Sequence, residues 1–134
     1  MSQENVEIVR LILTAWERGN FGAPAEVFDP EVTFETWMPD TAENVVARGF
    51  AELEAFTRDW LAQWRGYRIV EDEFQAVGPD KVFVAVRQLA RGRHSGVEVE
   101  SPGFSVWTLR DGKVVKLSLH YDRDNALEAA TLSE

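Results

Sequence analysis

The chain has 134 residues, a formal net charge of −9, 45% hydrophobic and 28% charged residues, five Trp and no Cys. Length and composition fit one globular unit, read as a single domain over residues 1–134, and argue against disorder. The acidic balance is wrong for nucleic acid or an anionic membrane surface, and the lack of Cys excludes disulfides, thiolate metal sites and a thiol nucleophile. No stretch approaches the roughly 20 apolar residues that span a bilayer. The start, Met1-Ser2-Gln3-Glu4-Asn5, lacks the positive charge and apolar block of a secretion signal, so the expected location is the cytoplasm.

In chain order, Val6, Val9, Leu13 and Trp16 recur at helical spacing and predict a helix from about Gln3 to Arg18, stopped at Gly19. A short helix is predicted from Pro24 to Phe28, ended by Asp29-Pro30. Val32 to Met38 alternates as a strand with Val32, Phe34 and Thr36 on one side, and Pro39 to Arg48 reads as a polar loop. Phe50, Leu53, Phe56, Trp60 and Trp64 mark a long amphipathic helix closed by Gly66. The period then changes to two. Tyr67–Val77, Lys81–Arg91, Val97–Leu109 and Lys113–Tyr121 are predicted strands of an antiparallel meander, and Asp111-Gly112 is a strong type I′ hairpin signal. A last short helix covers Asn125 to Ala130.

Helices first and strands after predict an α+β fold, with helices on one face of the sheet. Val82-Phe83-Val84-Ala85-Val86 and Phe104-Ser105-Val106-Trp107 are apolar on both faces, so the second face also needs a cover. A homodimer packed sheet to sheet is the expected one; a long loop or the tail lying across the sheet is the alternative.

Several motifs carry a family resemblance: Trp60 and Trp64, the run from Arg91 to Glu98, Val106-Trp107-Thr108-Leu109-Arg110-Asp111-Gly112-Lys113, and the ending from Tyr121 to Ala129. With the element order they make the chain resemble a SnoaL-like member of the nuclear transport factor 2-like superfamily, which also holds ketosteroid isomerase and polyketide cyclases. The resemblance implies a cone-shaped fold, an apolar pocket between the concave sheet face and the helices, and frequent dimers. It also permits a test of the isomerase pattern. The general-base position falls on Thr36, the phenolic donor near Ile12 and the protonated carboxyl near Ser105. All three are changed: Ile donates no hydrogen bond and a Thr hydroxyl is no base near neutral pH, so steroid isomerisation of that type is not expected.

Polar groups on strands around an apolar pocket are the ones that need a purpose, because a buried charge is costly unless paired. Arg87 interrupts an apolar run, and Glu71 or Glu73, two residues apart on one strand face, are its expected partners. The pair reads either as an oxygen clamp with a carboxylate base or as a structural ion pair. Tyr121 reads as a carbonyl donor or a core aromatic, and Asp122 as a rim acid or a helix cap. Glu35 is expected on the side of the first strand opposite Thr36 unless a bulge swaps them. His120 and Asp122 could form a base pair of groups, although their strand face reads as solvated or dimer-facing. With His94 in an exposed turn and no third ligand nearby, two histidines make only a weak case for zinc, and no metal is expected. There is no phosphate loop, nucleophile elbow or dinucleotide fingerprint, so no cofactor is expected.

The expected site therefore has Glu73, Arg87, Tyr121 and Asp122 as catalytic candidates. Trp16, Phe34, Thr36, Trp60, Ser105, Trp107 and Leu119 are the expected wall against a small, mostly apolar carbonyl or hydroxyl compound. Two functions follow: cofactor-free proton transfer (isomerase, cyclase, dehydratase or epoxide-opening type), or non-catalytic ligand binding or dimerisation. Proton transfer requires a carboxylate and a donor converging in a cavity of a few hundred cubic ångströms.

Overall fold

The apolar stripe of the first segment folds as the sequence predicts: α1 spans Ser2–Glu17 and buries Val6, Val9 and Ile12 while Leu11 faces outward. The computed structural model that shows this describes residues 2–20, 23–37, 46–120 and 122–131. A 3-10 turn, Ala23–Val27, leads into β1, Phe28–Trp37. This strand starts earlier than its alternation suggests, with Pro30 inside it. The register with its neighbour shifts between Phe28 and Thr33, and such an irregularity tolerates a residue without an N–H.

β2, Val46–Arg48, pairs antiparallel with β1 inside the segment expected to be loop, too short to show a period. α2, Phe50–Leu61, ends three residues before Trp64. The stop is tertiary. The Arg93 Nε donates to the Ala62 carbonyl at 2.8 Å and the Arg93 N–H to that of Gln63 at 2.9 Å, so a distant hairpin satisfies groups that another helical turn would need. Trp64, expected on the helix, begins β3.

β3 (Trp64–Val77), β4 (Lys81–Gly92), β5 (Glu98–Arg110) and β6 (Lys113–His120) form the antiparallel meander, and α3 covers Arg123–Thr131. Asp111 and Gly112 both have positive φ, 55° and 78°, as their hairpin requires. The sheet order is β2-β1-β6-β5-β4-β3, mixed because β1 runs parallel to β6. Bulges in β3, between Arg65 and Arg68 and between Glu71 and Glu73, bend the long β3–β4 ribbon. The result is an α+β cone.

On the concave side Val32, Phe34, Val82, Val84, Trp107 and Leu117 pack with Val9 and Ile12 of α1 and Leu53 of α2. On the convex side Phe83, Ala85 and Val106 are covered by Ala126 and Ala130 of α3. The two-faced apolar strands are thus closed here by the chain's own tail helix. That removes the reason for a partner copy over these three residues. No helix among the described residues is long and apolar enough to cross a membrane.

Candidate functional site

Between the concave sheet face and the two long helices lies a cavity of about 290 Å³. Its walls are mostly apolar, and the expected wall residues Trp16, Phe34, Thr36, Trp60, Ser105, Trp107 and Leu119 all line it. Strand alternation explains why they converge. β5 pairs with β4 without a register shift from Arg91↔Glu98 through Val82↔Trp107, so Pro102-Gly103 leaves the parity intact and Ser105 and Trp107 face inward. Thr36 is buried, while Glu35, on the other side of β1, reaches Lys116 at 3.3 Å.

The rings are braced against one another. Trp16 lies 5.9 Å from Trp107, Phe34 lies 4.9 Å from Phe56, and Tyr67 meets Trp60 edge-on at 5.7 Å. The indole N–H of Trp107 donates to Ser105 Oγ at 2.9 Å.

The four catalytic candidates do not assemble in this cavity. Arg87 lies on the convex face of β4, where its Nε donates to Asp72 Oδ1 at 3.2 Å and Glu100 stands 3.8 Å from its Nη1. Neither expected partner is the observed one. The bulge between Glu71 and Glu73 breaks the two-residue parity that was to put them on one face. Glu71 instead takes a two-nitrogen grip from Arg10 of α1, at 3.0 and 2.8 Å, and this hydrogen bonding holds its carboxyl below the usual range. Glu73 accepts from Arg123 of α3 at 2.9 Å. Asp122 is exposed and acts as a cap, its Oδ1 accepting from the Asn125 N–H at 2.7 Å. Tyr121 lies outside the described residues.

His120 departs from expectation in another way: it is buried, at 4% exposure, rather than solvated. Its Nδ1 meets Asn125 Oδ1 at 2.6 Å and its Nε2 meets the Ser118 hydroxyl at 2.8 Å, so its partner is not Asp122. An amide oxygen only accepts, which assigns the ring proton to Nδ1 and makes Nε2 the acceptor. Burial lowers its pKa, outweighing the opposing effects of Asn125, Glu35 and Asp122. The unfolded imidazole, with its ordinary pKa of about 6.5, takes up a proton before the folded one does. Stability from neutral His120 is therefore complete above that pH and is lost as pH falls toward the lower folded value. The urea midpoint is expected to decline between pH 7 and 5 and to decline less in His120→Gln. An unchanged slope in the variant would assign the acid sensitivity elsewhere.

The polar lining residues outside the expected wall include Tyr67, Gln88 and His120. The Tyr67 hydroxyl donates to Gln88 Oε1 at 2.7 Å. Burial pushes the phenol pKa up, and Glu17 adds to the rise, so the group stays neutral and a donor. Gln88 continues the Val84, Val86 inward alternation and could have been found from it. Tyr67 lies within the bulge between Arg65 and Arg68, and no local pattern reveals where it points. Among the described residues no Asp, Glu, Lys or Arg lines the cavity, while His120 does, as a neutral imidazole. The site offers aromatic and aliphatic surface with a few neutral hydrogen-bonding groups.

A cone of curved sheet roofed by helices around such a cavity defines the nuclear transport factor 2-like class, and a protein of that description from Burkholderia pseudomallei superposes with a TM-score of 0.75 at 20% identity, covering 96% of this chain and 98% of that one. The family model of the SnoaL-like domain matches residues 9–117, and the chain belongs to that family. Bal32a, from a soil-derived mobile gene cassette, is similar at TM-score 0.78 and 17% identity, over 98% of each chain. A proposed SnoaL-like polyketide cyclase from Jannaschia sp. CCS1 gives TM-score 0.76 and 20% identity over 99% of this chain and 94% of that one. At these identities the likeness is one of fold. No curated protein matches the chain.

Proposed function

We propose that the protein binds a small, mostly apolar molecule in the cavity and that the described residues make a binding site rather than an acid–base centre. The observation that carries this is the wall itself: about 290 Å³ bounded by Trp16, Trp60, Trp107, Phe34 and Leu119 with no carboxylate among its described residues. Ligand sites have this character, apolar surface with a few placed polar groups. Proton transfer of the isomerase or cyclase type needs a base at the reacting carbon, and the carboxylates Glu73 and Asp122 and the expected donor Arg87 are committed elsewhere. His120, which does line the cavity, has Nδ1 held by Asn125 and Nε2 held by the Ser118 hydroxyl. The polyketide cyclase description of the Jannaschia structure supports an oxygenated, largely hydrocarbon ligand.

Three of the lining residues are tryptophans, so occupancy reads out in their emission. N-phenyl-1-naphthylamine, an apolar dye, is expected to quench it saturably with one site per chain and to raise the thermal midpoint as its concentration exceeds Kd. A linear, unsaturable response with no midpoint shift would dispose of the binding site.

A further inference from the structure

We infer that Gln88 reads the ligand, selecting a molecule with a hydrogen-bond acceptor such as a carbonyl oxygen over its hydrocarbon isostere. This rests on the cavity being a binding site and says which chemistry that site prefers.

A carboxamide has an acceptor end and a donor end, and which one meets a ligand depends on what holds the other. Here the acceptor end is taken. Gln88 Oε1 receives the Tyr67 hydroxyl at 2.7 Å, and Tyr67 is kept protonated by its buried setting. This turns the amide nitrogen away from Tyr67, toward β5. Gln88 Nε2 rests over Gly103, where an added Cβ would lie only 2.9 Å from it and 3.3 Å from Val86 Cγ2. Any side chain at 103 would displace the amide, so the glycine gives it room. Tyr67, Gln88 and Gly103 all line the cavity.

Ser105 agrees in sign. Ser105 accepts from the Trp107 indole through its oxygen, which leaves its hydroxyl proton to give. Nothing among the described residues accepts from Gln88 Nε2 or from the Ser105 hydroxyl. The cavity therefore presents the Gln88 and Ser105 donors on a mostly apolar surface. A ligand acceptor meets them, whereas a hydrocarbon of the same shape strips them of water and returns nothing.

Acetophenone and cumene form a suitable pair, since cumene carries a methyl group where acetophenone has its carbonyl oxygen, at similar size. Both are to be measured by displacement of N-phenyl-1-naphthylamine from the full chain. Acetophenone is expected to bind roughly tenfold more tightly than cumene, the scale of one well-formed hydrogen bond. Gln88→Leu removes the donor. Gln88→Glu keeps an acceptor for Tyr67 while replacing the donor nitrogen with oxygen. Both are expected to cut the preference several-fold by weakening acetophenone and leaving cumene within about twofold, the Ser105 hydroxyl carrying what remains. Tyr67→Phe, which frees the amide to rotate, and Gly103→Ala, which pushes it aside, are expected to erase part of it. Acetophenone, but not cumene, should also shift the Gln88 side-chain amide resonances in the NMR spectrum.

Equal affinities in the wild-type protein overturn the role of Gln88 while leaving the cavity as a binding site. A preference that survives undiminished in both Gln88 variants does the same, and the use of two variants guards against one that fails to fold. Failure of the dye itself to bind overturns the site and this inference together.

Discussion

Trp107→Ala is expected to destabilise the protein by about 3–5 kcal/mol, the range for truncating a large buried aromatic side chain. The indole is 1% exposed, lies 5.9 Å from the Trp16 ring and donates to Ser105 Oγ at 2.9 Å. Its backbone pairs with Val82 on one side and Leu117 on the other, so it stands in the middle of the concave sheet face. The void left behind would open into the ligand cavity, and neighbours braced by other rings have little freedom to collapse into it. For a chain of this size the loss corresponds to a thermal midpoint lower by roughly 10–20 °C. Trp107→Phe retains ring packing and removes the Ser105 contact, so about half that loss or less is expected. A drop of only a degree or two in the alanine variant would show that the wall is not also the core.

Val86→Trp is expected to separate binding from folding. Val86 lines the cavity, is half-buried, and packs at the margin of the main core rather than within it. An indole there would extend into the space a ligand needs. Affinity for N-phenyl-1-naphthylamine should fall roughly hundredfold or more, about 2.7 kcal/mol, because a close-packed wall does not yield to a displaced ligand. Filling a void has the opposite effect on stability, and the thermal midpoint is expected to hold or rise, by an amount equivalent to roughly 0.5–2 kcal/mol. Retained dye binding with an unchanged midpoint would mean that the dye binds elsewhere on the molecule.

Together the two substitutions divide the concave side into its functions. Trp107 carries stability and shape at once, since it belongs to the buried cluster and to the cavity wall. Val86 and Gln88 lie further along β4, where that cluster gives way to open space, and they affect the ligand more than the fold.

Much of this was legible in the chain because it is written in local periods. Val6 and Val9 at helical spacing announce α1, and Asp111-Gly112 announces the β5–β6 turn through backbone geometry that other residues disfavour. Every expected wall residue lines the cavity because period-two alternation on β1, β5 and β6, and helical spacing on α1 and α2, decide which way a side chain faces once the concave side is known. The capping alternative for Asp122 was equally local.

Tertiary structure decided the rest, and the reason is that a register is a relation between segments. One extra residue at Asp72 sent Glu71 to Arg10 and Glu73 to Arg123, and left Asp72 itself as the partner of Arg87; no pattern within β3 encodes that bulge. The end of α2 depends on Arg93, about thirty residues away, β2 exists only as a partner for β1, and the cover over Phe83 and Val106 comes from α3. The Tyr67–Gln88 hydrogen bond joins two strands across a sheet that must already be bent. Sequence alone determined which side chains are apolar enough to enclose a cavity; the folded chain determined which polar group within it has a donor left to offer.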